Sequence, residues 1–183
     1  FGIYENVITG IELERIISPS GPSRGKIIRP SDGKTPKRIA FIQCVGSRDE
    51  KTNPYCSRVC CMYATKQALL IREKIPDASI LIFYIDLRAF GKGYEEFYKK
   101  AQMEGVRYVK GIVAEIVEDP WSKNLILRAE DALFNALIEA EVDLVVLSIG
   151  LIPSFGTSSL CRILNISTSP DGFFREAHPK LRP

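Results

Sequence analysis

From residue 38 onward, short apolar runs alternate with stretches whose apolar residues recur at helical spacing. Residues 38–44, 79–85, 106–110 and 142–149 are nearly continuous runs of aliphatic and aromatic side chains, the mark of strands buried on both faces. Between them, residues 56–74 and 94–104 carry helical patterns, stopped near Pro76 and at Gly105 respectively. Strand, helix, strand, helix and strand in succession predict an α/β domain: a Rossmann-like wound sheet, parallel, with covering helices. Residues 113–117 and 124–128 flank a turn at 119–123 and predict a small antiparallel ribbon beside that sheet.

The first part of the chain reads differently. Thr9-Gly10-Ile11-Glu12 has the capping-box spacing, so a short helix is expected over residues 9–17. Residues 18–37 are rich in Ser, Pro and Gly and read as a loop containing a hairpin turned at Asp32-Gly33. Gly21-Pro22-Ser23-Arg24-Gly25-Lys26 approaches a phosphate-binding loop. It is one residue short, Ile27 replaces the hydroxyl residue and no helical pattern follows, so it reads as a turn. The helix 94–100, with Tyr94, Phe97 and Tyr98 among Glu and Lys, packs its rings and exposes its charges. The pattern divides the chain into a connecting segment, 1–37, a Rossmann-like domain, 38–150, and a return segment, 151–183.

Composition narrows the function classes. A chain of 183 residues with 45% hydrophobic residues affords one packed domain with attached pieces of a neighbour and excludes wholesale disorder. A net charge of +3 without a basic stripe gives no reason to expect nucleic-acid binding. The longest apolar run falls far below the roughly 20 residues of a membrane span. The chain opens at Phe1 without methionine or a secretory pattern and stops at Pro183, so both ends read as cuts in a longer protein.

Cysteine placement is the strongest chemical signal. Of five cysteines, Cys44, Cys56, Cys60 and Cys61 crowd into one short stretch. The missing secretory signal and the adjacent pair argue for metal or redox chemistry in a reducing compartment, the cytoplasm, rather than disulfides. Cys44 falls at the end of the first strand of the wound sheet. Cys56 and Cys60 are four apart at the expected start of the following helix and so share one face, with Cys61 rotated by about 100°. A dinucleotide-binding domain carries G-x-G-x-x-G at this junction. Here it reads Cys44-Val45-Gly46-Ser47-Arg48, a single glycine, so close approach to a pyrophosphate is lost. Four thiolates without a nearby histidine suit an iron–sulfur cluster or zinc, and unliganded or redox-sensing thiols stay open on spacing alone. Cys161 lies on an apolar pattern and reads as a buried packing residue.

Two motifs carry a resemblance. Phe41-Ile42-Gln43-Cys44-Val45-Gly46-Ser47-Arg48-Asp49 and Tyr55-Cys56-Ser57-Arg58-Val59-Cys60-Cys61-Met62-Tyr63-Ala64-Thr65-Lys66 closely resemble the A subunit of heterodisulfide reductase. The flanks Asn6-Val7-Ile8-Thr9, Glu12-Leu13-Glu14-Arg15, Arg29-Pro30-Ser31-Asp32-Gly33, Asp171-Gly172-Phe173-Phe174 and Glu176-Ala177-His178-Pro179-Lys180-Leu181-Arg182-Pro183 extend it over essentially the whole chain. The resemblance implies a thioredoxin-reductase-like flavoprotein in which this region corresponds to the NAD(P)H-binding module of relatives. It implies a [4Fe–4S] cluster on Cys44, Cys56, Cys60 and Cys61, beside an FAD held mostly by another part of the fold. The partners it implies are other heterodisulfide reductase subunits, ferredoxin and a hydrogenase or other electron-donor subunit, and a homodimer is compatible with it. The family couples heterodisulfide reduction to ferredoxin reduction by flavin-based electron bifurcation. The first FAD-binding glycine fingerprint and the ferredoxin-type cysteine motifs of the family are missing from these residues.

By the same resemblance Lys66 and Glu14 are flavin-side charges. Without it each is a solvated helix residue. Arg48 either neutralises the cluster or caps a loop carbonyl. His178, the single histidine, has no nucleophile motif beside it and belongs to the segment leading back to the flavin domain. The expectation is therefore an electron-transfer module of a larger oxidoreductase. The alternatives are a zinc-stabilised docking module and an NAD(P)H-binding reductase module.

Overall fold

The computed structural model describes residues 1–177; His178 lies outside them. In chain order the elements are β1 (Val7–Thr9), α1 (Gly10–Ile17), β2 (Arg38–Val45), α2 (Cys60–Lys74), β3 (Ser79–Tyr84), α3 (Tyr94–Met103) and β4 (Arg107–Lys110). They continue with β5 (Val113–Glu118), β6 (Leu125–Asp131), β7 (Ala136–Val142), β8 (Leu144–Ile149) and α4 (Thr157–Leu164). Five strands form a sheet in the order β1-β8-β2-β3-β4, and every pairing in it is parallel. Strands β5, β6 and β7 form a separate antiparallel sheet.

Alternation along the parallel strands explains the layering. In β2, Ile39 and Phe41 join a core with Leu13, Ala64, Ala68, Ile71, Ile80 and Ile82, which is the face covered by α1, α2 and α3. The intervening Ala40 and Ile42 join Leu81, Phe83, Val145, Leu125 and Leu127, which is the face covered by the antiparallel sheet. The central strands are buried on both sides, hence their continuous apolar runs. The expected wound sheet with covering helices and an antiparallel addition is present. That addition has three strands, not two, and it closes one whole face of the parallel sheet.

Residues 1–37 contribute to the same sheet and core. β1 pairs with β8, and α1 buries Leu13 and Ile17. The Thr9 capping box forms: the Thr9 hydroxyl accepts the Glu12 amide at 3.2 Å and the Glu12 carboxylate accepts the Thr9 amide at 2.7 Å. Tyr98 stacks edge-on against Tyr108 at 4.6 Å while the charges of α3 face solvent.

Four expectations need correction. No strands form in residues 18–37, so Asp32-Gly33 turns a tight loop rather than a hairpin; Gly33 has φ 70° and its amide donates to the Arg29 carbonyl at 2.9 Å. Helix α2 begins at Cys60, not at residue 56. Arg58 is left-handed (φ 66°), which breaks any helical continuation from Cys56. The run 142–149 is two strands parted at Asp143. β7 escapes the sequence pattern because Leu137 points outward, 92% exposed, among charged neighbours. Among the described residues no helix is long and apolar enough to cross a membrane.

Asp143 shows why the break falls where it does. Its carboxylate accepts the amides of Lys37 (2.8 Å) and Arg38 (3.0 Å) and pairs with the Arg38 guanidinium at 2.8 Å, tying the start of β2 to the start of β8. Burial alone would raise its pKa. The hydrogen bonds from the Lys37 amide and from Arg38 outweigh burial and hold the carboxyl below its ordinary value. A depressed folded pKa contributes stability that is fully present above the unfolded carboxylate pKa and lost as pH falls through the folded value. Asp143→Asn is expected to cost about 1–3 kcal/mol near neutral pH and to weaken the acid dependence of urea unfolding measured between neutral and acidic pH.

Candidate metal centre

The strand order places a topological switch at β2. From β2 the chain winds outward through β3 and β4, then returns to β8 on the other side of β2. The crevice beyond the carboxyl ends of β2 and β8 is where wound sheets hold their cofactors. Cys44 ends β2 at this point with a left-handed backbone (φ 61°), followed by left-handed Gly46 (71°) and Arg48 (59°). Such φ values are uncommon outside glycine. Here they turn the chain sharply off the sheet edge into the loop of residues 46–59. Cys56 lies on that loop, and Cys60 and Cys61 open α2.

The four thiols converge from these three segments into one electrostatic neighbourhood. Burial pushes the Cys44 thiol up, and Cys61 and Cys56 add to that; Arg48 acts in the opposite direction. Burial pushes Cys60 up to about 11, aided by Cys44, Cys61 and Cys56 and partly opposed by the Tyr63 hydroxyl. Cys61 is raised chiefly by burial, with the Arg88 amide opposing. Cys60 and Cys61 are buried, whereas Cys44 and Cys56 are half-buried. Among the described residues no three His, Cys, Asp or Glu side chains converge tightly enough to chelate a single metal ion.

The surroundings supply donors and orphaned polar atoms. The Arg58 amide donates to the Cys56 sulfur at 3.4 Å, and the Arg88 amide to the Cys61 sulfur at 3.4 Å. The Cys60 thiol donates to the Ile149 carbonyl at 3.4 Å, and the Tyr63 hydroxyl donates to the same oxygen at 3.0 Å. Deprotonating Cys60 therefore leaves that carbonyl satisfied. Near the crevice, both amide atoms of Gln43, the Ser148 hydroxyl and Arg48 Nη1 are buried without partners. Helix α2 has no side-chain cap and no acidic residue in its first turn, so its first amides face the crevice uncompensated. Buried thiols that resist ionisation, sulfurs already accepting amides and spare donors fit an anionic cluster that carries its own positive metal.

Gly150 sets the closeness of this assembly. Its amide donates to the Val45 carbonyl at 2.9 Å. A Cβ there would meet Ser57 Oγ at 2.8 Å and Ser47 Cβ at 3.0 Å. The next residue anchors the cysteine loop: the Leu151 amide donates to Ser57 Oγ (2.8 Å) and its carbonyl accepts the Tyr55 hydroxyl (2.9 Å).

Lys66 and Glu14 meet across α1 and α2 as an ion pair at 2.6 Å. Gln67 also donates to Glu14, at 2.9 Å, and to the Gly10 carbonyl. Burial opposes ionisation of Glu14, but the bonds from Lys66 and Gln67 prevail and keep its pKa low. Glu14 lines a mostly apolar hollow of about 240 Å³ with Ile11, Val59, Tyr63, Ile149 and Leu151. A larger hollow of about 700 Å³, lined by Ile85, Ile112, Leu137 and Ile138, contains none of the cysteines. Cys161, on α4, is half-buried rather than buried. Residues unforeseen from sequence are Gly150, Asp86 and the amides of Arg58 and Arg88. The glycine ending an apolar strand was a visible signal; the others depend on loop backbone angles that sequence does not reveal.

The fold defines a class: a Rossmann-type α/β module with a parallel sheet, covering helices and an added antiparallel sheet. The structure is similar to thioredoxin reductase of T. acidophilum (TM-score 0.52, 16% identity, 95% of this chain and 44% of that one). It is also similar to L-lysine 6-monooxygenase of Pseudomonas syringae (TM-score 0.51, 10% identity, 93% and 46%). No family model matches the chain. In sequence, the whole chain is 64% identical to the A 2 iron–sulfur subunit of CoB–CoM heterodisulfide reductase from Methanopyrus kandleri. It is 56% identical to the A subunit of the H2/formate:CoB–CoM heterodisulfide, ferredoxin reductase of Methanococcus maripaludis. The chain belongs to the family of heterodisulfide reductase A subunits and spans 28% of the length of these relatives.

Gly150→Ala is expected to cost about 1–3 kcal/mol through overpacking, read by denaturant unfolding. It should also speed alkylation of Cys56, followed by mass spectrometry, because the loop carrying Cys56 must shift.

Proposed function

We propose that this chain is an electron-transfer module of a flavin- and iron–sulfur-dependent oxidoreductase, with Cys44, Cys56, Cys60 and Cys61 holding a [4Fe–4S] cluster. The observation that carries the reading is that Cys44, Cys56 and Cys61 lie near enough to Cys60 at the switch point to act on its charge, and that two of the sulfurs, Cys56 and Cys61, already accept backbone amides. The designation of the Methanopyrus relative as an iron–sulfur subunit supports it. When bound, the cluster supplies storage for single electrons. The chain's own contributions are sulfur ligands, amide donors that stabilise thiolate charge, and a crevice narrowed by Gly150 that limits water.

Glu14 and Lys66 would face an FAD carried mostly by the remainder of the full-length protein. There the Lys66 cation would favour an anionic reduced flavin, with Glu14 and Gln67 fixing its position. Residues 151–183 would lead back toward that flavin region. In the complete protein the reading extends to flavin-based bifurcation between ferredoxin and a heterodisulfide, through partner subunits and a hydrogenase or other electron donor. It places the protein in the cytoplasm.

The test is iron and acid-labile sulfide quantitation on anaerobically prepared protein. About four of each per chain are expected, with a broad visible absorption, and both should fall sharply in Cys60→Ala. Zinc without sulfide would replace this reading with a structural docking module. Saturable NAD(P)H binding without iron would replace it with a reductase module.

A further inference from the structure

Arg48 lies on the loop that carries Cys56, four residues beyond Cys44. Its backbone is left-handed (φ 59°) and its amide donates to the Tyr55 carbonyl at 2.9 Å, which commits the residue to the crevice side of the loop. Its Nη2 is clamped at 2.8 Å by Oδ2 of Asp86, in the bend that follows β3. Asp86 also accepts the Cys61 thiol through its carbonyl, at 3.8 Å, and stands 3.9 Å from Lys110. With one side of the guanidinium fork so fixed, Nη1 is buried without any partner. Arg48 thus shares the turn that leaves Cys44 and is clamped by the same Asp86 whose carbonyl receives the Cys61 thiol. A partly exposed Arg–Asp pair adds little to stability, so a loop staple is a weak account of burying one end of a guanidinium unpaired.

We propose that Arg48, oriented by Asp86, gives a fixed positive charge and the Nη1 hydrogen bond to the sulfurs of the group bound at Cys44 and Cys61, raising its electron affinity. This rests on the cluster reading above. A cluster on four thiolates is anionic and gains one further negative charge on reduction, so a nearby cation favours the reduced form more than the oxidised one. Arg48 makes and breaks no bond. Its guanidinium stays protonated throughout, so an electron arrives from the reductant with no proton moved at this residue.

The experiment uses the full-length protein, prepared anaerobically and titrated with dithionite under EPR. The signal lost in Cys60→Ala identifies this cluster. Arg48→Gln is expected to keep its iron and shift the midpoint downward, by at least a tenfold change in the oxidised-to-reduced ratio at fixed potential, about 59 mV for one electron. Arg48→Lys, which keeps charge but not the fork, should shift less. An unmoved midpoint in an iron-replete Arg48→Gln protein overturns the proposal. If Arg48→Gln loses iron and Arg48→Lys retains it, the lysine variant decides: a lower midpoint supports the proposal and an unchanged one overturns it. Loss of iron from both reduces Arg48 to a structural tie and also overturns it. A wild-type protein without iron at these thiols defeats the cluster reading itself.

Discussion

Three thiols that ionise reluctantly, Cys44, Cys60 and Cys61, gather with Cys56 at the end of a parallel sheet. Burial, reinforced by neighbouring thiols, pushes these three toward their neutral forms; Cys60 reaches about 11. Only a bound positive centre, helped by amide donors and a nearby guanidinium, makes several thiolates in so small a volume favourable. Polar atoms of Gln43, Ser148 and Arg48 are left unsatisfied around this crevice, although buried polar groups are normally paired.

The sheet supplies the rigidity this needs. Phe41 pairs with Ile82 on one side and Val146 on the other, so the ends of β2, β3 and β8 keep a fixed register. Cys44 then leaves from β2, the Asp86–Arg88 segment from β3 and Ile149–Gly150 from β8, each reaching the crevice from a strand clamped between two cores. The antiparallel layer contributes by closing the second face; without it the strands carrying Cys44 and Gly150 would be half-solvated. Architecture and site are thus coupled through register.

The sequence showed four of the five parallel strands, helices α1, α2 and α3 and the crowded cysteines, because each writes a local pattern: continuous apolar runs, a capping box, helical spacing, close-set thiols. It misplaced the start of α2. The periodicity from Cys56 to Lys74 is compatible with one helix, and nothing in Ser57-Arg58-Val59 announces the left-handed turn at Arg58. That turn has chemical consequences. Off the helix, Cys56 lies on the loop and receives the Arg58 amide, so the four thiols come from three segments instead of two. Strand β1 and helix α4 were too short, and β7 too exposed on its outer side, for pattern alone to separate them from loop.

The single glycine left at the β2–α2 junction follows from the same geometry. A pyrophosphate needs backbone to approach it closely, hence glycines along the turn and amides from the first turn of the helix. Here Gly46 keeps the left-handed turn, but side chains of Cys44 and Arg48 occupy the neighbouring left-handed positions, where a dinucleotide cradle has no room for them. The helix amides remain, and they favour any anion regardless of kind. Placing Cys44 and Arg48 at left-handed positions in this turn therefore keeps the helix amides' electrostatic preference for an anion while taking up the space that an extended phosphate would need. The requirement for tight packing migrates to Gly150 across the crevice, where a Cβ would collide with the loop that carries Cys56.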